Sequence, residues 1–140
     1  MNPNIRFFSE EINFTFKKKA KTRNWLSNVI REEKNSPQYI NYIFCSDKYL
    51  SELNKKYLHH NTFTDIITFP DLSNPKKLSG DIYISIERIK ENAEKYQQTF
   101  DKELARVMVH GILHILGYKD KTPKERELMT RKEDFHLDKF

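Results

Sequence analysis

One stretch, VMVHGILHILGY at positions 107–118, leaves a chain like this little choice of fold. Its apolar residues recur at helical spacing, with Leu104 one turn upstream, so it reads as a helix packed into the core. Thr99 offers that helix its N-cap and Gly117 its stop. Within it His110 and His114 stand four residues apart and project from one face about one turn apart, a spacing that suits joint coordination of a metal ion. Aliphatic side chains surround both imidazoles, and a buried imidazole without a partner costs ~1–3 kcal/mol. A ligand role removes that cost. Three residues after His114, Gly117 can take the left-handed conformation that reverses the chain, which lets Asp120 swing back towards the histidines. A His, His, Asp set leaves coordination positions open for water and substrate, as catalytic zinc requires and structural zinc does not. Hydrolysis is the natural chemistry of such a centre.

Composition narrows the classes further. Gly80, Gly111 and Gly117 are the whole glycine supply, so neither a Walker loop nor a dinucleotide fingerprint can be built, and no nucleotide cofactor is expected. Cys45 is the only cysteine, which excludes an intrachain disulfide and a Cys-based zinc cluster and fits a cytoplasmic address. No run approaches the ~18 apolar residues of a membrane span. The opening MNPNIRFFSEEINF carries acids where a signal peptide needs a basic start and an apolar core, so neither membrane nor export is expected. At 140 residues the chain is expected to form one domain over 1–140. Its 25 basic against 20 acidic residues leave a net charge of +5, which favours encounter with polyanions such as nucleic acid. The cluster Lys17, Lys18, Lys19, Lys21 and Arg23 is either part of that contact or a solvated helix face.

Ile5 to Phe8 reads as an opening strand that can extend to Phe16, and Trp25, Leu26, Val29 and Ile30 then stand at helical spacing. Tyr39 to Cys45 is a β-rich run whose two faces are both apolar enough to be covered. Ser46 and Asp47 can cap a helix carrying Leu50, Leu53 and Tyr57, followed by a loop, HHNTFT. Asp65–Phe69 and Asp81–Ile86 read as two more strands joined by a polar surface connection. Ser85 can cap a helix bearing Ile89, Ala93 and Tyr96. Thr122, Pro123 and Glu125 supply a cap, an N1 proline and a capping-box acid for a last helix with Leu128, Met129 and Phe135. The order β, α, β, α, β, β, α, α, α predicts an α+β fold, a small mixed sheet with helices packed on it.

Zinc metalloproteases carry H-E-x-x-H, in which the Glu is the general base, and Gly111 stands at that position here. The spacing H-x3-H-x2-G-x2-ligand is nonetheless metzincin-like, a metal cradle without the protease base. As a whole, HGILHILGYKD resembles the H-G-x-L-H-L-x-G-Y-D-H signature of the YbeY family, bacterial metal-dependent endoribonucleases implicated in ribosomal RNA maturation and ribosome quality control. LNKKYLHHNTFTDIITFP, from Leu53 to Pro70, resembles that family's L-N-x-x-[YF]-R…P-T-[DN]-V-L-S-F-P. LSGDIYIS resembles its L-G-D-I-x-I-S, and Met129 and Glu133 fall in its C-terminal pattern.

The resemblance implies an α/β-sandwich-like fold with a mainly four-stranded mixed sheet and the metal helix lining a cleft. It implies one zinc ion per chain on His110, His114 and Asp120, which would also be the catalytic set through that ion and its water. The substrate it implies is single-stranded RNA, cut endonucleolytically during maturation of the 3′ end of 16S rRNA and in quality control, with the small ribosomal subunit as partner. Two positions depart from the family pattern. Asp120 stands where the family usually has histidine, after Lys119 in place of the family Asp; a carboxylate oxygen coordinates zinc at ~2.0–2.2 Å, but two histidines and a carboxylate also describe an Fe(II) site. Leu58 stands where the family usually has an arginine, and it cannot stabilise a phosphate. Lys56, His59 and His60 are the nearby candidates for RNA contact. Asp65 and Asp81, at family positions beside strands, are expected to hydrogen-bond loop backbone. Two rivals stand beside the nuclease: a non-catalytic ribosome-assembly factor with a structural metal, which Leu58 favours, and a peptide hydrolase, which Gly111 disfavours.

Overall fold

The computed structural model, which describes residues 4–58 and 64–140, is built on one four-stranded mixed sheet. In chain order the elements are β1 (Ile5–Glu10), α1 (Lys19–Glu32), β2 (Pro37–Cys45), α2 (Asp47–Leu53), a π-helical turn (Asn54–Leu58), β3 (Ile66–Pro70), β4 (Leu78–Ser85), α3 (Ile86–Lys95), α4 (Phe100–Leu116) and α5 (Pro123–Leu137). The strand order is β1-β2-β4-β3. β1 and β4 flank β2 in parallel, and β3 closes the far edge antiparallel to β4, with Tyr42 opposite Ile82 and Thr68 opposite the same Ile82.

Alternation along the strands sorts the side chains into two layers. Ile40, Tyr42 and Phe44 of β2 and Ile82 and Ile84 of β4 join Trp25, Leu26, Val29 and Ile30 of α1 and Leu104, Met108, Val109 and Ile112 of α4 in the main core. Cys45, Leu50 and Ile67 form a smaller cluster with Tyr49, Leu53, Phe69 and Tyr83, which α2 covers. Burial there pushes the Cys45 thiol up to about 12, so at neutral pH it is a packing residue and no nucleophile.

α4 lies tightly on the sheet. A Cβ added at Gly111 would stand 3.0 Å from Ile66 Cδ1 and 3.0 Å from Ile82 Cγ2, so this position is where the helix touches β3 and β4. Three residues earlier the Met108 carbonyl accepts a 2.8 Å hydrogen bond from the buried Tyr42 hydroxyl. These two contacts fix both the depth and the rotation of α4. They therefore decide which side His110 and His114 present.

The caps stand where the sequence puts them. Ser46, Ser85 and Thr99 accept from the backbone N–H three residues on, and Thr122 with Glu125 makes a complete capping box behind Pro123. Small boundary differences fall at β2, which starts at Pro37, at β3, which spans Ile66–Pro70, and at α3, which ends at Lys95 before Tyr96; three others are larger. β1 ends at Glu10 because Glu11 has φ 51°, and Phe14 and Phe16 turn back onto Phe44 instead of extending the strand. α2 stops at Leu53 and widens into the π turn, which buries Asn54 and leaves Tyr57 about half exposed. β4 begins at Leu78 and not Asp81, since β2 offers ladder partners back to Pro37, and Ile86 already belongs to α3. Among the described residues no helix is long and apolar enough to cross a membrane.

Candidate metal centre

The last two turns of α4 and the loop behind them bring three donor atoms together. The nitrogens of His110 and His114 and a carboxylate oxygen of Asp120 all lie within 4.8 Å of one another. Asp120 Oδ2 is 3.4 Å from His110 Nε2 and 3.2 Å from His114 Nε2, and the two rings meet edge to face with centroids 4.6 Å apart. Gly117 makes the approach feasible. At φ 109° it closes α4, its N–H bonding to the His114 carbonyl and that of Tyr118 to the Leu113 carbonyl, both at 3.0 Å. This double closure turns the chain so that Asp120 faces the ring nitrogens.

The donor set fits a first-row dication. Ligand atoms bonded at ~2.0–2.1 Å around a tetrahedral centre stand about 3.3–3.4 Å from one another, close to the two separations above. Protonation tells the same story. His110 Nδ1 lies 2.6 Å from Glu133 Oε2, a carboxylate that can only accept, so Nδ1 carries a proton and Nε2 is the ring atom that faces Asp120. The position between Nε2 and the carboxylate favours positive charge, a proton on Nε2 when no metal is bound and a metal ion in its place when one is. Burial opposes charge on His110, but the hydrogen bond and charge of Glu133, with the charges of Asp120 and Asp65, outweigh it and hold its pKa above 6.5. The side chains are 21% exposed for His110, 27% for His114 and 38% for Asp120, so the three donors are reachable from solvent.

A second network holds the loop that carries Asp120. Glu33, at the end of α1, is nearly buried and accepts from Tyr118 Oη at 2.6 Å, from the His136 ring Nε2 at 2.8 Å and from Lys132 Nζ at 3.1 Å. Burial alone would raise the Glu33 pKa; these three hydrogen bonds and the Lys132 charge overcome it and bring it below the ordinary 4.5. A carboxylate depressed in the folded state contributes stability that is present above its unfolded pKa and is lost as pH falls through the folded value, because the unfolded chain then binds the extra proton. Glu33→Gln is thus expected to lower Tm at neutral pH, with the difference from wild type shrinking below about pH 4.5. Thermal melts across pH 3–7 check this, and parallel curves for the two proteins would contradict it.

Comparison with known proteins places the whole chain. The model of the family described as Endoribonuclease YbeY matches residues 4–140. The chain belongs to the YbeY family. Relatives named Endoribonuclease YbeY are 50% identical over 133 residues in Flavobacterium psychrophilum, covering 95% of this chain and 94% of that one, and 47% identical over 133 residues in Cytophaga hutchinsonii, covering 95% and 93%. The solution structure of the Thermotoga maritima protein TM1509 superposes with a TM-score of 0.67 at 28% identity, covering 96% of this chain and 87% of that one. The mixed four-stranded sheet with five helices is accordingly the fold expected of a YbeY chain.

Within this YbeY fold the other candidate residues separate clearly. Lys56 is exposed, with Nζ 5.2 Å from the Tyr57 ring centroid, and Leu58 is partly exposed at the end of the π turn. His59 and His60 lie outside the described residues. In the basic cluster at the start of α1 the four lysines are exposed, and three of the five residues have partners within the fold. Lys18 pairs with Asp101 at 2.7 Å, Lys21 lies over the Phe140 ring, and Arg23 donates to the Ile5 carbonyl at 2.8 Å. Asp81 accepts from the Asn41 side-chain amide across the β2/β4 pair at 3.0 Å, while Asp65 is 3.4 Å from Asn92 Nδ2 and also accepts a hydrogen bond from its own backbone N–H. Burial raises the Asp65 pKa against the lowering effect of His110. α4 also lines a cavity of about 530 Å³ through Lys102, Glu103 and Arg106, before the histidine turn. Sequence reading gave Glu133 and Arg106 no role in the site, and the only signal for Glu133 was its place in the family's C-terminal pattern.

Proposed function

We propose that this chain is a zinc-dependent endoribonuclease specific for single-stranded RNA, acting from the cytoplasm on the 3′ end of 16S rRNA and in ribosome quality control at the small subunit. The observation that carries the reading is the convergence of His110, His114 and Asp120 within a chain of the YbeY family. In this reading residues 1–140 act as one domain and hold one ion through those three residues. A bound zinc ion supplies Lewis acidity towards a phosphoryl oxygen and lowers the pKa of water towards ~7. His110 and His114 present ring nitrogens from a helix whose rotation the core sets, and Asp120 adds a carboxylate. Lys119 and Lys121, exposed on either side of Asp120, together with Lys56, His59 and His60, are the side chains to meet the RNA backbone.

Three protein donors with partial exposure favour a catalytic ion over a structural one, whose four ligands are closed off. Peptide hydrolysis is disfavoured by Gly111, since a base at that position would be driven into Ile66 and Ile82. Purified protein is expected to cut single-stranded RNA, to spare duplex RNA and peptides, and to lose cleavage in chelator until zinc is returned. RNA cleavage unchanged by chelator, or cleavage of peptide instead, would overturn the reading. Protein that binds zinc and RNA but cuts neither substrate would favour the assembly factor.

A further inference from the structure

We infer that Glu133 is a positioning residue for the metal centre, an outer carboxylate that sets the tautomer and aim of His110 and is itself held by Arg106. This rests on the reading of His110, His114 and Asp120 as metal ligands. Glu133 lies on α5, and its nearly buried carboxylate is clamped between two groups of α4 that stand one helical turn apart. Oε2 is 2.6 Å from His110 Nδ1, and Oε1 accepts from Arg106 Nη1 at 2.7 Å. Arg106 is fixed in turn by donating through Nη2 to Asp134 at 2.6 Å. Each oxygen of Glu133 therefore has one partner, and the carboxylate cannot rotate without giving up both.

The consequence falls on the opposite ring nitrogen. With its proton held at Nδ1, His110 has Nε2 free as a donor atom on the side where His114 and Asp120 converge. A carboxylate behind a ligating imidazole also raises its basicity, and the loss of such a partner typically weakens metal binding by ~10–100-fold. A purely structural pin between α4 and α5 predicts something else. It would change the stability of the protein and leave the metal affinity alone.

The test is zinc affinity, measured by competition with a chromophoric chelator, beside the Tm of the metal-free protein. Glu133→Gln, which keeps the shape but loses the charge and one accepting oxygen, is expected to weaken zinc binding by ~10–100-fold. Asp134→Ala, which removes the other anchor of Arg106 and leaves Glu133 in place, is expected to stay near wild-type affinity. A Glu133→Gln protein with lowered Tm and unchanged zinc affinity would overturn the positioning role while leaving the metal centre intact. Wild-type protein that takes up no zinc would overturn the metal centre and this role with it. Nitrogen-15 NMR of zinc-loaded wild type reads the same point without any variant. His110 should be protonated at Nδ1 and ligated at Nε2, and ligation through Nδ1 would overturn the inference.

Discussion

The double variant His110→Ala, His114→Ala is expected to hold no stoichiometric zinc and to cut RNA no faster than a buffer blank. Two of the three donors disappear, and what remains is one partly exposed carboxylate, Asp120, which alone is a weak site for any dication. The loss should be on the order of 10³-fold in affinity or more, well past the ~10–100-fold that outer partners govern. Folding should survive. Alanine is the best helix former, and neither histidine is wholly buried, so α4 keeps its seat on the sheet through Gly111 and the Tyr42 hydrogen bond. Glu133 loses His110 but keeps Arg106. Far-UV circular dichroism close to wild type, with metal content near zero, is the expected pair of results. A well-folded double variant that retains one equivalent of metal would mean that the ion sits elsewhere. Asp120→His makes the complementary case, because it changes the donor atom without deleting it, and stoichiometric zinc should be kept.

What could be read in advance was whatever depends on neighbours in sequence. The His110 and His114 pair, the stop at Gly117 and the caps at Ser46, Ser85, Thr99 and Thr122 are all set within a turn or two of helix. Their physics is local, so the residues alone disclose it. The contacts between elements were not open to that reasoning. Glu133 meets His110 across 23 residues, and Glu33 meets His136 across 103, because of how α5 lies on α4 and on the end of α1. Nothing in the spacing of those side chains announces it. Charge misleads for the same reason. The basic cluster at the start of α1 is conspicuous in the sequence, but tertiary partners such as Asp101 and the Ile5 carbonyl engage Lys18 and Arg23. The placement of β4 between β2 and β3 likewise follows from sheet pairing over forty residues, and with it comes the close approach of Gly111 that orients the histidines.

Gly117→Val is expected to lower both stability and zinc affinity, and the two effects have a common origin. Gly117 has φ 109°, a conformation that L side chains rarely adopt, and a Cβ built there meets nothing within 4 Å. Crowding is therefore not the issue. The cost is conformational, about 1–2 kcal/mol or more for a β-branched residue. In a chain of this length that corresponds to a fall in Tm of roughly 4–8 °C. The strain can be relieved only by letting the helix run on or by opening the turn, and either change gives up the bonds from Gly117 N–H to His114 and from Tyr118 N–H to Leu113. Tyr118 resists, since its hydroxyl is held by Glu33 at 2.6 Å. Asp120, two residues further on and anchored among the described residues by its approach to the histidine rings, is the group that moves. Zinc affinity should then fall by on the order of tenfold or more even where the variant is fully folded, the result of misplacing one donor of three. Metal-free Tm and zinc affinity measured on the same preparation decide the point. A variant that melts like wild type would refute the left-handed closure at Gly117, and one that melts lower but binds zinc as tightly would show that Asp120 reaches its place without that turn.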